Sequence, residues 1–123
     1  MKNHNYYVYI TTNPRKTVLY TGVTNDLDRR LEEHYQDTQH ARKSFAGRYF
    51  CYHLIYYEYY TDIHEAIARE KEIKGWSRDK KDALIEAFNP DRRFFDSLRE
   101  QEKGDLPVWY IGDEPSDRRK PKA

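Results

Sequence analysis

The chain has 123 residues, of which 37% are apolar and 35% charged, and a formal net charge of +1. That length suits one domain with a real core, and so small a charge means that any nucleic-acid partner has to be argued from local patches. Cys51 is the only cysteine, which excludes an intramolecular disulfide and a cysteine-based zinc site. Twelve tyrosines supply large rings that a disordered chain would lack. No apolar window approaches the roughly 20 residues of a membrane span or resembles a signal peptide, so a soluble, cytoplasmic protein without a membrane partner is expected.

Tyr6 to Thr12 alternates aromatic and β-branched residues and reads as a strand. Thr12-Asn13-Pro14-Arg15-Lys16 punctuates a turn, and Thr17 to Val23 reads as the second strand of a hairpin. Asn25 or Asp26 then caps a helix predicted to end near Gln36, with Leu27 and Leu31 facing the core. Asp37 to Arg48 is polar and basic without periodicity and reads as a loop. Tyr49 to Tyr60 is the most strand-like run of the chain.

Asp62-Ile63-His64-Glu65 is a capping signature for a helix reaching Lys74, which Gly75 ends. Ser77 caps another helix as far as Phe88. Asn89-Pro90 stops it and can open one more, docked through Phe94, Phe95 and Leu98. The expected fold is α+β, a three-stranded mostly antiparallel sheet flanked by three to four helices, in one domain over residues 1–101. Residues 102–123 are expected to form a largely disordered polar tail, with Val108-Trp109-Tyr110-Ile111 as a short apolar island within it.

Strand parity puts Tyr7, Tyr9 and Thr11 on one face and Val8 and Ile10 on the other. Tyr9 and Tyr20 both sit centrally and can lie side by side across the hairpin, which by itself is explained by an ordinary cross-strand aromatic pair. Arg30 and His34 share a helix face, a pattern that a solvent-facing basic pair explains as well. Glu70 is more informative. It falls within the stripe of Ile63, Ala66, Ile67 and Ile73, and an inward carboxylate is costly unless it is paired or binds a metal. A buried ion pair with Arg30 and a metal-binding role weigh about equally on this feature.

Taken in order, these residues resemble the GIY-YIG nuclease superfamily. The first motif stands as Tyr7-Val8-Tyr9, with its final tyrosine kept and its glycine replaced, and the second as Tyr20-Thr21-Gly22. Arg30 follows Tyr20 by ten residues and His34 follows Arg30 by four. Glu70 lies in Glu65-Ala66-Ile67-Ala68-Arg69-Glu70-Lys71-Glu72. The set covers about Tyr6 to Leu98 and is similar to the small bacterial single-domain group and to the catalytic module of the excinuclease C subunit. The asparagine that some members carry beyond the metal glutamate is replaced by Asp82, with Asn89 either a displaced counterpart or a helix cap.

The resemblance implies an endonuclease that hydrolyses phosphodiester bonds in DNA with one Mg²⁺ or Mn²⁺ ion. It makes Tyr9 the general base, Arg30 the phosphate clamp, Glu70 the metal ligand, Tyr20 and His34 positioning groups, and Gly22 a structural residue at the site. The chemistry suits these residue types. Mg²⁺ can be held by one carboxylate plus waters and substrate phosphate, and only one inward carboxylate is evident here. A tyrosine has a pKa near 10, so it would need positive charge beside it to act at neutral pH.

Substrate grip is expected from basic loops that contact the backbone without reading sequence. These are Arg15 and Lys16 on the hairpin turn, with His40, Arg42, Lys43 and Arg48 before the third strand. Three functions compete: a DNA endonuclease working in repair or on branched or flapped substrates, a non-catalytic nucleic-acid-binding module, and a protein-interaction domain that docks a partner through Val108–Ile111. Joint retention of Tyr9, Tyr20, Arg30 and Glu70 favours the enzyme.

Overall fold

The structure is a computed structural model that describes residues 5–39 and 45–95. It has the expected α+β class. The elements follow in the order β1 (Tyr6–Thr12), β2 (Leu19–Thr24), α1 (Leu27–Gln39), α2 (Phe45–Arg48), β3 (His53–Tyr60), α3 (Ile63–Lys74) and α4 (Arg78–Phe88). The sheet is fully antiparallel with strand order β2-β1-β3, so β2 is an edge strand. Among the described residues no helix is long and apolar enough to cross a membrane.

The two faces of the sheet carry separate cores, as strand parity requires. On one face Tyr7, Tyr9, Leu54, Tyr57 and Tyr59 pack against Leu27 and Leu31 of α1 and against Phe95. On the other, Val8, Ile10, Ile55, Tyr56 and Tyr60 pack against Ala66 and Ile73 of α3 and Ile85 of α4. The register between β1 and β3 slips at Ile10/Thr11, a bulge that lets the adjacent Ile55 and Tyr56 join the same cluster.

Several boundaries differ from the sequence reading, each for a local reason. β2 begins at Leu19 rather than Thr17, because the Asn13 side chain accepts from the backbone N–H of Thr17 and Val18 and holds them in the turn. α1 continues past Gln36 to Gln39, extending the Leu27, Leu31, His34 stripe to a buried Thr38. The expected loop from Asp37 to Arg48 therefore contains the last turn of α1 and the short α2. β3 starts at His53 rather than Tyr49. Before it, Phe50 adopts a φ of 60° and the Cys51 N–H donates to Ala46 O, which breaks the extended run.

Asp62 and Ser77 cap α3 and α4 as expected. No helix opens at Pro90 among the described residues. Instead the buried Asn89 donates to Ile55 O and Arg93 O and accepts from Arg93 N–H, and Phe95 N–H donates to Leu54 O. Asn89 thus latches the segment that follows it onto β3, and this backbone work explains its presence without a catalytic role. Leu98 and residues 102–123, including Val108–Ile111, lie outside the described residues.

The sequence reading found one inward carboxylate, and the fold contains a second. Glu58 on β3 is 0% exposed, on the α3 side of the sheet. Tyr56 and Tyr60 donate to it, and Arg69 of α3 forks onto both its oxygens at 3.0 Å. Period-two spacing of Tyr56, Glu58 and Tyr60 could have revealed it. With these four groups satisfied among themselves, Glu58 is a structural acid on the face opposite Tyr9.

Candidate functional site

The α1 face of the sheet gathers the tyrosines. β1 directs Tyr9 inward, where its ring is 0% exposed, and α1 brings His34 over it because His34 continues the Leu27–Leu31 stripe by about one turn. Tyr9 Oη and His34 Nε2 share a hydrogen bond of 2.9 Å. Register pairs Tyr9 with Gly22 and Thr11 with Tyr20, so the two tyrosines are diagonal neighbours rather than directly opposite. Their ring centroids lie 6.2 Å apart, and Tyr20 meets His34 edge-on at 5.2 Å.

Gly22 faces the Tyr9 ring directly. A Cβ there would come within 2.5 Å of Tyr9 Oη and 2.6 Å of Cζ, so only glycine leaves room for the hydroxyl. Arg30, one turn before His34, reaches both the Tyr9 and the Tyr20 hydroxyls. Tyr9, Tyr20, Gly22, Arg30 and His34 therefore form one constellation.

Its electrostatics follow from burial. Burial raises the pKa of Tyr9 above its ordinary value and Tyr20 adds to this, while Arg30 pulls it down without prevailing. The sequence reading required positive charge to lower this pKa. Here Arg30 supplies the charge, and desolvation outweighs it. Burial, with Arg30 beside it, lowers the pKa of His34 to about 4, so the imidazole is neutral at pH 7. The pKa of Arg30 is raised: burial works against its charge, but Glu33 and Tyr9 hold it ionised. Glu33 accepts from Arg30 at 2.9 Å and lies 3.7 Å from Arg29.

Glu70 stands at the margin of this group. Within the expected stripe only Ala66 and Ile73 are buried, while Ile63 is 42% exposed. The Glu70 side chain is 12% exposed and pairs with Lys74 at 2.6 Å, not with Arg30. Lys74 Nζ in turn lies 6.0 Å from the Tyr20 ring centroid. The helix that carries Glu70 covers the Val8 face, and Lys74 reaches round the β2 edge towards Tyr20. Glu70 is thus connected to the constellation through Lys74 rather than by direct contact.

Among the described residues no three His, Cys, Asp or Glu side chains gather as a metal-binding group. One carboxylate backed by waters and a phosphate suits Mg²⁺ or Mn²⁺, so the Glu70 donor set fits a single hard cation once Lys74 yields its place.

A cleft of about 460 Å³ opens beside Arg30, between α1 and α3. It was not anticipated from the sequence, and neither were Glu33 and Lys74 as site residues. The i+3 spacing of Glu33 from Arg30 and the i+4 spacing of Lys74 from Glu70 could have signalled both. The basic residues chosen for substrate grip are not brought into the constellation. Arg15 and Arg48 are exposed, and Lys16, at a φ of 60°, lies 5.2 Å from the Phe94 ring. His40, Arg42 and Lys43 lie outside the described residues.

The chain matches the model of the GIY-YIG catalytic domain over residues 5–82 and belongs to that family, which is a nuclease family. It is 37% identical over 92 residues to a UPF0213 protein of Bacillus pumilus, covering 75% of this chain and 90% of the relative. It is 37% identical over 84 residues to a UPF0213 protein of Haloquadratum walsbyi, covering 68% of this chain and 90% of that one. A UPF0213 protein of Bacillus halodurans, solved by solution NMR, aligns at 32% identity with a TM-score of 0.41 over 66% of this chain and 82% of that chain.

Proposed function

We propose that this protein is a metal-dependent endonuclease that hydrolyses phosphodiester bonds in DNA through one divalent cation, Mg²⁺ or Mn²⁺. The observation that carries the reading is the Tyr9–His34–Arg30–Tyr20 constellation, with Gly22 kept free of a side chain to admit the Tyr9 hydroxyl.

Arg30 exchanges Glu33 for the substrate phosphate and stabilises the charge that develops on its oxygens. A phosphate placed there also cancels much of the positive charge that helps hold His34 neutral. Tyr9 takes a proton from the attacking water as its own passes to His34 Nε2, in the tautomer that carries hydrogen on Nδ1. The water oxygen bonds to phosphorus, the bond to the leaving oxygen breaks, and solvent protonates that oxygen. Tyr20 holds Arg30 and the reacting oxygens in line. Glu70, once released from Lys74, would hold the cation, which when bound would supply neutralisation of phosphate charge and polarisation of a phosphoryl oxygen. Arg15, Lys16 and Arg48 add backbone affinity from outside the site, on branched or flapped DNA as on simple duplex.

A non-catalytic nucleic-acid-binding module is the second reading, favoured by the Lys74 ammonium already seated on Glu70. Incubation with duplex, nicked, flapped and single-stranded DNA in Mg²⁺ or Mn²⁺ separates the two. Cleavage by the wild type, abolished in Glu70→Gln while metal-free DNA binding persists, supports the enzyme. Equal cleavage by both proteins refutes the role of Glu70, and binding without any cleavage supports the module.

A further inference from the structure

The cleft beside Arg30 has two unlike walls. One is apolar, formed by Tyr6 and Val23 of the sheet with Ile63 and Ile67 of α3. The other carries the Arg29 and Arg30 guanidiniums, both turned to Glu33. A single exposed isoleucine is ordinary on a protein surface. Ile63, 42% exposed at the start of α3, is different because it lines a cavity whose opposite side holds two guanidiniums. Glu33 marks where an anion sits between them.

We propose that this cleft seats one unpaired nucleotide of the substrate strand, with its phosphate on Arg29 and Arg30 and its base against Tyr6, Ile63 and Ile67. The proposal deepens the nuclease reading by naming the form of the substrate next to the cut. A volume of about 460 Å³ is of the size that takes one small ligand. The apolar wall rewards an exposed base face, and in a duplex those faces are covered by stacking, so the seat selects a nucleotide that is already unpaired or has been turned out of the helix. The guanidiniums supply the charge complementarity that a purely apolar ligand would not use.

The test is fluorescence anisotropy, in EDTA, with a short labelled oligothymidylate, a blunt duplex of equal length and a polyglutamate peptide. The proteins are the wild type, Glu70→Gln and Ile63→Asp. Wild type and Glu70→Gln are expected to prefer the single strand by about tenfold, the scale of one base contact. Ile63→Asp is expected to lose that preference with an unchanged Tm, because the position is solvent-exposed and follows the helix cap, where an acid is tolerated.

Equal wild-type affinity for strand and duplex overturns the seat. So does an unchanged preference in Ile63→Asp, or peptide binding as tight as the oligonucleotide. If the preference and its dependence on Ile63 hold but no substrate is cut in Mg²⁺, the seat stands and the nuclease reading falls instead.

Discussion

Gly22→Ala should disable the site from a position that carries no functional group. The new Cβ would lie 2.5 Å from Tyr9 Oη and 2.6 Å from Cζ, where ordinary contact needs 3.4 Å or more. Tyr9 cannot swing aside, because its ring is fully buried between the sheet and α1. It must retreat by about 1 Å, a displacement that can by itself cost roughly 100-fold in turnover. Overpacking of this kind costs about 1–3 kcal/mol, and straining the buried bond to His34 adds on the order of 1 kcal/mol, so unfolding in urea should show a loss of about 2–4 kcal/mol. In a Tyr9→Phe background the nearest clashing atom is gone, and the same alanine should cost less, by about 0.5–3 kcal/mol of coupling. The assays are urea unfolding of the four proteins in the cycle and cleavage by the two that keep Tyr9. A Gly22→Ala protein within about 0.5 kcal/mol of wild type that cuts at the wild-type rate would refute the argument.

Other outcomes follow from the same geometry. His34 has a folded pKa of about 4 against 6.5 unfolded, so its contribution is complete above pH 6.5, declines as pH falls towards 4 and is flat below that. The loss amounts to about 3 kcal/mol, and His34→Gln should remove this part of the slope in unfolding measured across the window. Lys74→Met should lower the Mg²⁺ or Mn²⁺ concentration needed for half-maximal cleavage, because the ammonium 2.6 Å from Glu70 no longer competes; an unchanged metal titration would count against Glu70 as the ligand. Arg69→Met leaves Glu58 buried without its cation and should destabilise the fold by about 3–5 kcal/mol, measured by thermal unfolding, with Arg69→Met/Glu58→Gln recovering part of the loss.

What the sequence determined by itself was local. Alternation marked the strands, Asn13-Pro14 the hairpin, Asp62 and Ser77 the helix starts, and the Leu27–Leu31 spacing the inward face of α1. Each signal is carried by residues within a few positions of one another, where backbone geometry alone decides the outcome. The ordered set of Tyr9, Tyr20, Gly22, Arg30, His34 and Glu70 came instead from the resemblance to the GIY-YIG pattern, since no single local signal singled it out.

The tertiary structure decided which of these groups touch. Strand register places Gly22, not Tyr20, opposite Tyr9, and so turns a plain glycine into the residue that admits the hydroxyl. Helix phase put Glu70 within an apolar stripe, whereas in the structure only Ala66 and Ile73 of that stripe are buried and Glu70 lies at its margin, 12% exposed. Its contact with Lys74 is an i,i+4 pair within α3, but only the docking of α3 across the Val8 face decided that it does not meet Arg30. Glu58 and Arg69, eleven residues apart, found each other by the same packing. Long polar side chains choose among several partners within a few ångströms, and that choice depends on three-dimensional distance and burial, which no pattern along one chain records.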